Sequence, residues 1–153
     1  MFDAVLFDLD ETLIPDEPLS QHAFFVTALE VTQDATRATR LAEAAEKEAR
    51  TVFNDLPPDV LAYCQRIGHS ALEALWATYD ARIAEERAMV DITKRARPEL
   101  WRRALAACGE SGDADQLQQR WQHLRARAPL FDDTDEVLAL LKPRVKLGIV
   151  TNG

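Results

Sequence analysis

Residues 4–14 read AVLFDLDETLI and residues 145–153 read VKLGIVTNG. The first is a short apolar run, Ala4 to Leu9, that breaks off in acids. The second is a β-branched run, Val145 to Val150, that ends in Thr151, Asn152 and Gly153. Runs of this length, bounded by polar residues, predict strands of a buried parallel sheet. Working outward from them, residues 18–129 carry apolar positions at helical spacing. Leu41, Ala45, Val52 and Phe53 share one face, Leu72, Leu75, Trp76, Tyr79 and Ile83 another, and Leu117, Trp121 and Leu124 a third. Pro57-Pro58, Gly68, Pro98 and the turn Gly109 to Gly112 divide this stretch into about five or six helices. Asp133 to Lys142 predicts one more short helix, with Asp133 or Thr134 as N-cap and Glu136 in its first turn.

The order strand, helical insert, helix, strand predicts an α/β fold. One crossover joins the strands, so the pair should be parallel and right-handed. Two strands alone are marginal in water, and a parallel sheet wants helices on both faces. The expectation from this order is a chain cut short after its second strand, whose uncovered sheet edges invite self-association.

Composition narrows the function classes. The chain has 153 residues, 47% hydrophobic and 29% charged, which is one domain's worth of ordinary globular composition. No apolar stretch approaches the roughly 18 residues that span a bilayer, and the acidic N-terminal stretch does not resemble a secretory signal. No membrane partner is expected. Cys64 and Cys108 form neither a metal-ligand spacing nor a disulfide framework, so a reducing cytoplasm is the expected location. Twenty-six acids against 18 Lys and Arg give a net charge of −8, which repels polyanions and argues against nucleic acid. Lys94 to Arg127 gathers Arg97, Arg102, Arg103, Arg120, Arg125 and other bases. A solvated helical face is the first reading of this segment. The second is an anion-binding surface, with Arg102 and Arg103 holding a second anionic group of a substrate.

Chemistry concentrates at the strand ends. Asp8 and Asp10 are two apart, so on an extended backbone both carboxylates face one site, in the crevice beyond the strand C-termini where open α/β sheets bind ligands. One ionised carboxylate can attack an electrophile while the other, kept near its neutral form, protonates a leaving group. Such a pair also attracts a hard cation, for which oxygen ligands suggest Mg2+. Thr151, the Asn152 amide and the Gly153 backbone suit phosphate oxygens. The plainer readings are an acidic turn and an ordinary strand ending; the pair of signals together outweighs either alone.

The string FDLDETL resembles the first motif of the haloacid dehalogenase-like superfamily, apolar residues followed by D-x-D-x-T. LFDDTDEVLALLKPRVKLGIVTNG is similar to the helix and strand that lead into that family's second motif. The resemblance implies a Rossmann-like core, represented by its first two parallel strands in residues 1–17 and 130–153. It makes residues 18–129 a helical cap inserted between them. It implies a Mg2+-dependent hydrolase of a small phosphorylated metabolite. Asp8 would be the nucleophile that forms an aspartyl-phosphate, and Asp10 the general acid and then base. Mg2+ would be held by the Asp8 carboxylate and the Asp10 backbone carbonyl. Thr151 and Asn152 would bind the transferring phosphoryl group, and Thr12 would support the loop. The acid at Asp10 favours a phosphatase over a 2-haloacid dehalogenase, which stays as a minor alternative. The family's third-motif Lys and fourth-motif acids have no match here, since Lys142 and Lys146 precede the second motif. The 153 residues alone are therefore expected to be weakly active or inactive, and a non-catalytic helical interaction module is the main alternative. The remaining polar and aromatic residues have plainer readings: His22, His69 and His123 as surface or packing residues, Cys64 and Cys108 as small hydrophobes, and Trp76, Trp101 and Trp121 as core. For Phe24 and Phe25, lining the substrate pocket is the lesser reading.

Overall fold

A computed structural model describes residues 2–151; Met1, Asn152 and Gly153 lie outside the described residues. Strand β1 (Ala4–Asp8) is followed by six helices, α1 (Asp16–Thr32), α2 (Ala35–Asn54), α3 (Pro58–Arg66), α4 (Ala71–Trp76), α5 (Ala84–Cys108) and α6 (Ala114–Arg125). Helix α7 (Thr134–Leu141) and strand β2 (Lys146–Val150) complete the chain. The strands pair in parallel, with Ala4 opposite Lys146 and Asp8 opposite Val150. Among the described residues no helix is long and apolar enough to cross a membrane.

Local chemistry explains most boundaries. Pro18 falls in the first turn of α1, where a missing N–H breaks no intrahelical bond. Asp34 caps α2 by accepting from the Arg37 N–H at 2.8 Å, and Asp113 caps α6 by accepting from the N–H groups of Asp115 and Gln116. Pro58 opens α3 at its first position. Gly109, with φ +68°, closes α5 in the left-handed region that glycine adopts most cheaply. Asp133 sits at the N-cap of α7, although no side-chain hydrogen bond caps that helix.

Two expectations about the helices need correction. Pro98 lies inside α5 and does not end it. An interior proline costs about 3 kcal/mol, but buried residues on both sides of it, Met89, Thr93 and Ala96 before and Leu100, Trp101 and Ala104 after, hold the helix together. The apolar face expected to run from Leu72 to Ile83 is also interrupted. Helix α4 ends at Trp76, and Ala77 turns extended with ψ 148°. Its end is held from outside, because the Arg97 guanidinium donates to the carbonyls of Leu75, Trp76 and Ala77 at 2.7, 3.4 and 3.1 Å. A distant Arg thus satisfies orphan carbonyls that the local sequence leaves open.

The core lies within the helices. Phe24, Leu41, Leu100, Trp101, Leu105, Leu117 and Trp121 are buried together, interleaved with Ala23, Ala28, Ala38, Ala45, Ala49 and Ala104. The alanines let α1, α2 and α5 approach closely. Phe24 rests between Trp101 and Trp121, with ring centroids 5.7 and 5.0 Å away. A smaller cluster joins Leu56, Val60, Tyr63, Cys64, Ala74 and Met89.

Candidate active site

Strand β1 ends at Asp8, and the chain then folds into a tight loop. The Leu13 and Ile14 N–H groups both donate to the Leu9 carbonyl, at 2.8 and 3.1 Å, and the Glu11 N–H donates to the Ile14 carbonyl at 2.8 Å. Glu11 takes a left-handed conformation, φ 56°, which is uncommon for a residue with a Cβ. Its carboxylate is put to local use, accepting from the Glu17 N–H at 2.7 Å and so satisfying an orphan donor in the first turn of α1. Asp10 forms an isolated bridge with Ile14. The bonds of that bridge run through the Leu9 carbonyl and the Glu11 N–H, leaving the Asp10 carbonyl outside them. The alternation argument for Asp8 and Asp10 therefore holds only as far as Asp8, and the loop sets the position of Asp10.

A cavity of about 680 Å3 lies where the strand ends meet the helices. Leu9, Asp10, Ile14 and Thr151 form its wall on the strand side. Asp16, His69, Glu73, Trp76, Arg97, His123 and Arg125 line the remainder together with several neutral residues. Asp10 and Thr151, far apart in sequence, thus share one cavity because their strands pair in register. Asp8, exposed, closes β1 opposite Val150, one residue before Thr151. Asn152, read as a phosphate ligand, falls outside the described residues.

The field in the cavity acts on Asp10. Partial burial raises its pKa above the ordinary 3.8, and Asp16 and Glu73 raise it further; Arg125 works in the opposite direction, and Asp8 adds a smaller upward push. A carboxyl with raised affinity for its proton is suited to donating one. The two cavity arginines are both engaged. Arg97 holds the end of α4, and Arg125 forms a buried ion pair with Asp16 while its guanidinium lies 5.6 Å from the Trp76 ring centroid. Trp76 in turn packs edge-to-face on Trp121, at 5.7 Å and 86°.

The sequence reading missed much of this lining. His69 and His123 are the packing and surface residues expected and Trp76 packs against the core, but all three also border the cavity. His69 is also buried, 3.4 Å from the Tyr79 hydroxyl, which donates to the Ala74 carbonyl. Glu73 carries a readable signal, because Ser70 and Glu73 form a capping box that fixes the start of α4. Arg102 and Arg103 do not line the cavity. They pair with Glu99, Asp115 and Glu48 on the exposed side of α5, which fits the first reading, a solvated helical face, and not the second, an anion-binding one. Phe24 is likewise committed to the core.

Among the described residues no group of three or more His, Cys, Asp or Glu is arranged to hold a metal ion. The donors at the strand end are nonetheless of the right kind for Mg2+, which commonly takes one or two carboxylates and fills its remaining positions with water and substrate phosphate.

Comparison with known proteins bears on this geometry. The chain is 30% identical over 151 residues to a protein named phosphoserine phosphatase from Thermus thermophilus. The match takes in 97% of this chain and 57% of that relative, so the chain spans little more than half the relative's length. No solved structure gives a significant match. A family model described as haloacid dehalogenase-like hydrolase matches residues 2–153, so the chain belongs to the haloacid dehalogenase-like hydrolases.

Proposed function

We propose that this chain carries the nucleophile-bearing part of a phosphomonoester hydrolase acting on small phosphorylated metabolites. The observation that carries the reading is the meeting of Asp10 and Thr151 on one cavity at the ends of two parallel strands, with Asp8 closing the first of them. A carboxylate oxygen of Asp8 attacks phosphorus as the bond to the leaving oxygen breaks, giving an aspartyl-phosphate. Asp10, whose proton affinity is raised by burial and by Asp16 and Glu73, gives its proton to the departing alkoxide. It then takes a proton from the water that attacks the phosphoenzyme, so Asp8 is regenerated and inorganic phosphate leaves. The Thr151 hydroxyl and the Asn152 amide hold the transferring oxygens. The Asp8 carboxylate and the Asp10 carbonyl would hold Mg2+, which when bound offsets the negative charge gathering between two carboxylates and a phosphate dianion. Helices α1–α6 serve as a cap that limits the site to small molecules and excludes water during transfer. Two free cysteines and the acidic surface are in keeping with a cytoplasmic enzyme.

The test is hydrolysis of p-nitrophenyl phosphate by the protein made from its full reading frame, with and without Mg2+. Turnover that needs Mg2+ and disappears in Asp8→Asn is the expected result. Turnover that survives in Asp8→Asn would overturn the assignment. The name of the Thermus relative makes O-phosphoserine the first metabolite to compare with the aryl ester.

A further inference from the structure

We infer that Asp16 and Arg125 are a positioning pair that holds the helical region against the loop bearing Asp10, an inference that rests on the phosphatase reading above. The chain crosses between helices α1–α6 and the region formed by β1, α7 and β2 twice, through residues 9–15 and 126–133. Asp16 is the first residue of α1, directly after one crossing, and Arg125 is the last of α6, directly before the other. Their ion pair therefore ties the two crossings together. A second tie lies beside it, where the Leu13 carbonyl accepts from the Phe131 N–H at 3.0 Å and from the Thr134 hydroxyl at 3.4 Å. Arg125 also lies over Trp76, the last residue of α4, whose other end carries Glu73. One guanidinium thus pairs with or lies over two other residues of the cavity that Asp10 lines, Asp16 and Trp76.

Stability alone does not account for the pair. The Arg125 and Asp16 side chains are only 3% and 10% exposed, so both charges are taken out of water. Replacing a buried ion pair by apolar groups is often neutral or stabilising. The Arg125 Nε, moreover, has no hydrogen-bond partner among the described residues, so the network is not saturated. What the pair does provide, and an apolar contact would not, is a charge-specific link between the two crossings. Loss of about 1 Å of precision in the placement of Asp10 over the leaving oxygen would cost on the order of a hundredfold in rate.

The experiment compares Arg125→Met with the double variant Asp16→Asn/Arg125→Met in the full reading frame. Thermal unfolding is measured beside kcat and KM for p-nitrophenyl phosphate, at a temperature where each variant is folded. The single change leaves a buried carboxylate unpaired and should lower both Tm and kcat. The double change should recover most of the Tm while kcat stays about 10- to 100-fold low and KM changes less than about threefold. Recovery of kcat together with Tm would make the pair purely structural and overturn the inference. Should the double variant not fold, Asp16→Glu replaces it: the charge is kept and the link lengthened by one methylene. A lowered kcat at unchanged Tm then supports positioning, and an unchanged kcat overturns it. Failure of the phosphatase reading itself is recognised separately, as absence of Asp8-dependent turnover in the unsubstituted protein.

Discussion

Between α1 and α6 the chain buries Leu41 and Trp101 completely, whereas on the strands Leu6, Ile149 and Val150 remain 66%, 58% and 56% exposed. In residues 2–15 and 130–151 only Leu13 and Thr134 are buried. The two regions divide their tasks. The helices close a core of their own, and the strand pair ends at Asp8 and Val150, just short of Asp10 and Thr151, without burying enough surface to be stable alone. Cohesion of the site thus depends on what the helices hold in place, including the loop after β1. Substitutions in the helices should act on stability, and substitutions at the strand ends on turnover.

The sharpest break between the regions is expected from Asp8→Asn. It should lower kcat on an aryl phosphate at least about 10,000-fold while leaving Tm near that of the unsubstituted protein. Next comes Trp101→Ala, which empties a fully buried site between Phe24 and its neighbours; a loss of about 3–5 kcal/mol in denaturant unfolding is expected. A smaller effect, about 1 kcal/mol, should follow Ser70→Ala, which removes the hydroxyl of the capping box at α4. Its additional value lies in kinetics, since a shifted Glu73 would show as a changed KM.

Asp10→Asn tests the field within the cavity. Because burial, Asp16 and Glu73 raise its pKa above 3.8, the folded chain holds this proton more tightly than the unfolded chain does. Ionising Asp10 therefore costs stability as pH rises through and above its ordinary range. In chelator-containing buffer Asp10→Asn should raise Tm at pH 7, with the gain vanishing below about pH 4, and with Mg2+ present it should abolish turnover. An unchanged Tm at pH 7 would mean that Asp10 is solvated in the folded protein. The smallest effect is expected from Ile149→Thr in the 153-residue chain, within about 0.5 kcal/mol, because that side chain is already mostly in water. A loss above about 2 kcal/mol would show the strand pair to be as cohesive as the helices.

Much of the fold was legible because the chain's periodicity is local. Both strands, the helical stretch between them and the last helix follow from runs of apolar residues and their breakers, and observed bounds differ from expected ones by a residue or two at the strands. Pro98 and the end of α4 were misread for one reason. The energy that carries α5 past a proline, and the Arg97 donors that hold the last carbonyls of α4, come from residues distant in sequence. The candidate site divides in the same way. Asp8, Asp10 and Thr151 stand out because rare polar residues end apolar strands. The far wall does not, because His69, Glu73, Arg97, His123 and Arg125 lie on or beside helices where each passes for a surface or packing residue.

By itself the sequence determined where the two strands lie, that the stretch between them is helical, and which carboxylates stand at the end of the first strand. Those properties depend on side-chain period and on neighbours a few residues away. Only the tertiary structure decided which of the many arginines face the cavity. Arg102 and Arg103 are spent on exposed acids, and Arg125 on Asp16 beneath Trp76. Charge is written in the sequence, but its partner is chosen by packing, since an ion pair is fixed by distance in space and not by separation along the chain.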